Sequence, residues 1–173
     1  MAEYLEDLAV MAAASDYDAV FDIPIDGIKL GVRWRSGSIY GIDFLPNLAA
    51  DIKTKDQQLA AAIKILKDYF LLGQSPSALP IRLQGTDHQL RVWQAIQQIP
   101  PGAVATYAEI AKHIGSAPRA VGGACRRNPV PIIVPCHRIV ASNGIGGFAG
   151  AGVGKHIAVK QWLLNHEHKI VSD

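Results

Sequence analysis

Cysteine is scarce in this chain. Cys125 and Cys136 are its two thiols, and they form no Cys-x-x-Cys pair. With six scattered histidines, nothing has the spacing of a zinc site, so no metal and no other cofactor is expected. Two cysteines also make no disulfide framework and fit a reducing compartment. The chain lacks an apolar run of about 18 residues, which excludes a membrane-spanning helix from the expectations. The first residues, Met1-Ala2-Glu3-Tyr4-Leu5-Glu6-Asp7, are acidic and are not followed by a signal-peptide core. The expected location is the cytoplasm, or the nucleus in a eukaryote. Acidic residues are missing from 112–138, which holds Lys112, Arg119, Arg126, Arg127 and Arg138. The net charge is only +2, so the chain is not a general polycation. That one cluster nevertheless permits a nucleic-acid partner.

Apolar residues are plentiful: 49% are hydrophobic against 18% charged, enough for a core in one ordinary domain or two small ones. The expected organisation is a leader (1–16), an N-terminal α+β domain (17–73), a linker rich in Gln, Ser and Pro (74–85), and a C-terminal domain (86–173). In the first domain Val20–Ile23, Ile28–Trp34 and Ile39–Leu45 read as three antiparallel strands, with turns at Asp26-Gly27 and Arg35–Ser38. Leu59, Ile63, Leu66, Tyr69 and Phe70 follow at helical spacing and stop at Gly73. The C-terminal domain reads as mostly helical. Thr86-x-x-Gln89 and Thr106-x-x-Glu109 are capping boxes, each opening a helix. A further helix is expected over 119–126, capped by Ser116 with Pro118 in its first turn. A last helix is expected over about 156–166. The fold class is therefore α+β, with a helix-turn-helix in the C-terminal part.

Two features carry chemistry. The second helix of the pair, Arg119-Ala120-Val121-Gly122-Gly123-Ala124-Cys125-Arg126, has adjacent glycines that cost about 1 kcal/mol each in a helix interior. They make sense where a large partner approaches the backbone. Long base-reading side chains are missing, so binding through phosphates and shape is expected, without sequence specificity. The other feature is Ile132–Val140. Ile132–Val134 reads as a buried strand that Pro135 ends, presenting Cys136. A free thiol is only about 3% ionised at pH 7, so a nucleophilic Cys136 needs a base or a positive field. Otherwise it is an inert buried thiol. His137 on a strand would face away from Cys136, so pairing requires a turn or a bridging water. Glu167 is either a solvated terminal charge or the carboxylate that orients His137.

Pro135-Cys136-His137-Arg138 resembles the signature of the O6-alkylguanine-DNA alkyltransferases (methylated-DNA–protein-cysteine methyltransferases). The likeness extends over Arg119–Ala124, Asn128-Pro129-Val130-Pro131-Ile132, Trp162-Leu163-Leu164 and His166-Glu167, about 80 residues from Thr86 onward. The resemblance implies single-turnover transfer of an alkyl group from O6-alkylguanine, and from O4-alkylthymine, to Cys136. His137 would be the base acting through a water, oriented by Glu167, and Asn128 would brace the active-site turn. Tyr107 would donate to the extruded base and crowd its phosphate. Arg119 would enter the base stack. Ser116, Ser142, Ala120, Gly122 and Arg126 would lie along the DNA. Cys125, Ile139, Phe148 and Ala149 would line the pocket. The implied partner is double-stranded DNA held by its minor groove, and the implied state is a monomer.

The chain departs from the family pattern in three places. Phe148-Ala149 stands where Tyr-Ser is common, leaving the Ala149 N–H as the group able to reach O6. The glycine-rich loop around Gly150–Lys155 is longer, which predicts tolerance of alkyl groups larger than methyl. Cys125 replaces an apolar residue and is expected as pocket wall. Three other readings compete: a lesion-binding protein of the alkyltransferase-like type, which lacks the cysteine; a helix-turn-helix regulator, which needs base-reading side chains; and a Cys–His hydrolase, which needs direct Cys–His contact.

Overall fold

The structure, a computed structural model, describes residues 16–149 and 154–172. The expected leader lies outside the described residues except for Asp16, and so does 150–153 of the long loop. The chain divides into two compact units, Met1–Arg82 and Leu83–Asp173.

In the first unit β1 (Ala19–Asp22), β2 (Ile28–Arg35) and β3 (Ser38–Pro46) form an antiparallel sheet in the order β1-β2-β3. Leu30 lies opposite Phe21 on one side and Phe44 on the other. Ser36 and Gly37 both take positive φ in the two-residue turn between β2 and β3, the conformation that matches strand twist in a tight hairpin. Helix α1 (Gln57–Leu72) starts where the Asp56 carboxylate accepts the Gln58 and Leu59 N–H groups, and ends at Gly73 with φ 72°. Its buried stripe is Leu59, Ala62, Leu66, Tyr69 and Phe70. Part of the expected linker is tied to this unit. Ile39 N–H donates to Pro80 O, and Arg82 N–H donates to Ile39 O.

The second unit begins with α2 (Asp87–Gln97), whose Thr86/Gln89 capping box is fully formed. The short strand β4 (Ala105–Thr106) leads into α3 (Tyr107–Ile114), opened by the Thr106/Glu109 box and closed by Gly115 at φ 65°. Then comes α4 (Pro118–Arg126). Trp93 Nε1 donates to Ala124 O at 3.0 Å, pinning α4 to α2. Ser116 does not cap α4 as expected. The cap position falls on Ala117, which has no side-chain acceptor, and the Ser116 hydroxyl bonds His88 Nε2 at 2.8 Å.

The strand expected at 132–134 is a turn. Pro129, Pro131 and Pro135 supply no N–H for a ladder, and the backbone folds on itself instead. Val134 N–H donates to Val130 O, Cys136 N–H donates to Val134 O, and Ile132 sits buried at φ 77°. A β-branched residue at that φ is a true outlier, held there by its surroundings. Cys136–Arg138 make one 3₁₀ turn, and β5 (Ile139–Val140) then pairs parallel with β4. Helix α5 (Lys155–Ser172) is longer than expected, so Glu167 lies within it and not at its end.

Candidate active site

The site is built where the 3₁₀ turn meets α5. The turn abolishes the strand geometry that would have sent Cys136 and His137 to opposite faces. Asn128, just past α4, holds the turn: its Nδ2 donates to Val134 O at 2.7 Å and to Cys136 Sγ at 3.2 Å, while its Oδ1 accepts from Val130 N–H. One amide thus fixes the chain before the cysteine and places a donor on its sulfur. Cys136 is buried at 5% exposure. Burial holds its thiol above the ordinary value, and the Asn128 bond and the charge of Lys160 offset only part of that rise.

His137 Nε2 lies 2.8 Å from Glu167 Oε1. A ring nitrogen facing a carboxylate carries the proton, so Nδ1 is the acceptor of a neutral imidazole. Among the described residues Nδ1 is buried and has no protein partner. Burial, opposed by Glu167 and assisted by Arg138 and Lys160, holds His137 below its ordinary value and therefore neutral. Arg138 grips the same carboxylate twice, Nε to Oε2 at 2.9 Å and Nη2 to Oε1 at 2.8 Å, and donates Nη1 to Ile99 O. Gly102 N–H adds a longer bond to Oε2. Burial alone would raise the Glu167 carboxyl, but the His137 and Arg138 bonds and charges hold it well below the usual range. His137, Arg138 and Glu167 are 0%, 4% and 1% exposed, so this network is sealed from solvent.

Three further groups interact electrostatically with the thiol. Tyr107, at the start of α3, donates its hydroxyl to Gly147 O at 3.3 Å. Burial and the two cysteines push it up to about 12. Cys125, on α4, is likewise raised to about 12 by burial and by Cys136. Lys160, on α5, is fully buried and donates to Ile139 O and Gly147 O.

The chain is similar in sequence and fold to known proteins. The model for the DNA-binding domain of 6-O-methylguanine DNA methyltransferase matches residues 87–169. A methylated-DNA–protein-cysteine methyltransferase from Methanosarcina acetivorans is 34% identical over 162 residues, covering 87% of this chain and 97% of that protein. The chain belongs to the 6-O-methylguanine DNA methyltransferase family. A constitutive methyltransferase of the same name from Bacillus subtilis is 43% identical over 112 residues, 63% of this chain and 66% of that protein, just under two thirds of its length. The crystal structure of Mycobacterium tuberculosis OGT in complex with DNA is similar with a TM-score of 0.74 at 31% identity, covering 88% of this chain and 93% of that one.

For a methyltransferase of this family the structure separates the expected residues into two groups. Cys136, His137, Glu167, Asn128, Tyr107 and Cys125 converge on one site. Arg119, Ala120 and Arg126 are exposed on α4, and Ser142 is exposed beyond β5. At Gly123 nothing would meet an added Cβ within 4 Å, and at Gly122 the Tyr107 ring is 3.8 Å away. Protein packing requires neither glycine, so the α4 face is left open. Phe148 is buried, while Ala149 is exposed with φ 48°. Ile139, expected in the pocket wall, is fully buried, and its described polar contacts are made by its backbone. Arg138 does not belong to the basic surface in which its sequence position had placed it. It is turned inward because Glu167 offers both oxygens. Arg138 and Lys160 were not foreseen as site residues. A signal was present: Lys160, Leu163 and Glu167 recur at i, i+3 and i+7, which places both charges on the buried stripe of α5.

Proposed function

We propose that this chain repairs DNA by moving the alkyl group of O6-alkylguanine, and of O4-alkylthymine, onto Cys136. The observation that carries the reading is the buried arrangement at the 3₁₀ turn: a thiol with an amide donor on its sulfur, beside a neutral histidine fixed by a carboxylate. A water bridging Cys136 and His137 Nδ1 carries the thiol proton to the imidazole. The sulfur lone pair forms the S–C bond as the C–O6 bond breaks and leaves its electrons on guanine. A proton taken up by guanine, delivered through Tyr107, balances the one lost by the thiol. The product is a thioether that no group in the site can cleave, so each molecule acts once.

O6 of a paired guanine is not accessible to a buried thiol, so the nucleotide must leave the stack, at a cost of a few kcal/mol. Arg119, at the exposed start of α4, fills the vacated space. The open glycine face of α4 lies in the minor groove, with Ala120, Gly122, Arg126, Ser116 and Ser142 along the backbone. The Ala149 N–H reaches O6, and Cys125 and Phe148 form pocket wall. The protein acts as a monomer, without sequence preference, in the cytoplasm or nucleus. No helix among the described residues is long and apolar enough to cross a membrane.

The test is incubation with a duplex carrying radiolabelled O6-methylguanine, followed by mass spectrometry of the protein. At most one methyl per chain, located on Cys136, is expected. Cys136→Ser should abolish transfer and keep lesion binding. Label transferred to the Cys136→Ser protein, or more than one turnover per chain, refutes the reading.

A further inference from the structure

Lys160 is a fully buried lysine without a carboxylate partner among the described residues. Burying an ammonium is costly unless it is paired or does something the fold needs. Its two bonds show what it holds. Nζ donates to Ile139 O at 2.5 Å, and Ile139 N–H in turn donates to Cys136 O, so one residue links the lysine to the cysteine backbone. Nζ also donates to Gly147 O at 3.0 Å, the carbonyl that accepts the Tyr107 hydroxyl. The ammonium therefore ties together α5, the chain leaving Cys136, the loop ahead of Phe148, and α3.

We propose that Lys160 is a positioning residue for the Cys136 nucleophile: it clamps the chain after Cys136 through two carbonyls and supplies the buried positive charge against which the thiolate forms. The inference rests on the reading of Cys136 as the nucleophile. The other groups around the thiol do not supply that charge. Asn128 is a neutral donor. Tyr107 and Cys125 are held protonated by burial, and His137 is held neutral. The Arg138 charge is spent on Glu167. Among the described residues Lys160 is the remaining cation acting on the thiol, and its field favours the ionised form of both Cys136 and Cys125. Burial lowers Lys160 itself to about 8, opposed by the two cysteines, so it stays charged at neutral pH.

The experiment follows Cys136 alkylation by iodoacetamide across pH, resolved from Cys125 by peptide mass spectrometry, in wild type, Lys160→Met and Lys160→Arg. The Met variant should lose roughly tenfold in rate at pH 7, where Lys160 is charged, and much less above about pH 9, where it is neutral in wild type, while the Arg variant stays near wild type. A purely structural clamp would slow the reaction by the same factor at every pH, so a pH-independent loss overturns the proposal. A second measurement needs no variant. In wild type the pH–rate profile of Cys136 alkylation should bend near pH 8, where Lys160 loses its charge. A profile rising with unit slope through pH 8 also overturns the proposal, since the thiolate then forms without help from the lysine charge. Iodoacetamide needs no DNA. Failure of wild type to take a methyl from damaged DNA would sink the repair reading and leave the Lys160 result standing.

Discussion

Glu167 is the residue whose loss should be felt most. Its carboxylate is the counter-ion of the buried Arg138 and the partner of the buried His137. Glu167→Gln keeps the shape and removes the charge, leaving a guanidinium sealed without compensation. Breaking a buried pair from one side costs about 3–5 kcal/mol, which urea unfolding would read directly. The same variant should slow Cys136 alkylation, because the imidazole loses the group that fixes its tautomer. Asn128→Ala makes a subtler test. It removes three hydrogen bonds, one of them to the Cys136 sulfur. The transfer rate should fall by more than tenfold in single-turnover kinetics, with a stability loss of about 1–3 kcal/mol from the unsatisfied Val134 carbonyl and Val130 N–H. A rate within twofold of wild type would show that the amide does not act on the sulfur.

Helix α4 trades its own stability for an open face. Replacing both Gly122 and Gly123 by Ala should stabilise the free protein by up to about 2 kcal/mol, since helix propensity favours alanine and neither position is sterically closed. The same change should weaken binding to double-stranded DNA in a fluorescence anisotropy titration. Tighter binding would mean that DNA does not approach this face. The loop wall behaves in the opposite way. Gly146 has φ 72°, and a Cβ there would come within 3.1 Å of both the Ala141 nitrogen and the Tyr107 ring. Gly146→Ala should therefore destabilise the fold and displace Tyr107.

Across the whole molecule, two buried groups, His137 and Glu167, shape the response to acid. His137 has a depressed value in the folded chain, so the unfolded chain binds its proton first. The contribution of His137 is full above pH about 6.5 and falls as pH drops below it. Glu167 is depressed as well, and its contribution is lost below about pH 4.5. Thermal melts from pH 8 down to about pH 2 should show the melting temperature declining in two stages. Glu167→Gln should remove the lower stage. A melting temperature flat between pH 7 and pH 5 would contradict the neutral buried imidazole.

Local chemistry was enough for much of this. The strand runs and turn residues of 19–46, the Thr86 and Thr106 capping boxes, and Gly73 as a helix stop act through neighbours in the chain, and they read correctly from it. Cys136 could also be singled out there, through its motif. The strand at 132–134 and the Ser116 cap could not be judged that way. Apolar β-branched residues look the same in a strand or a buried turn, and three prolines had to be counted against a ladder. The interior charges lay furthest out of reach. Arg138 reads as part of a basic surface, and Glu167 as a solvated end. Whether a charge turns inward depends on what meets it across 29 residues of chain. Only the packing of α5 against the 3₁₀ turn supplied the partners that make burying Arg138 and Glu167 tolerable, and placed Lys160 beside the thiol.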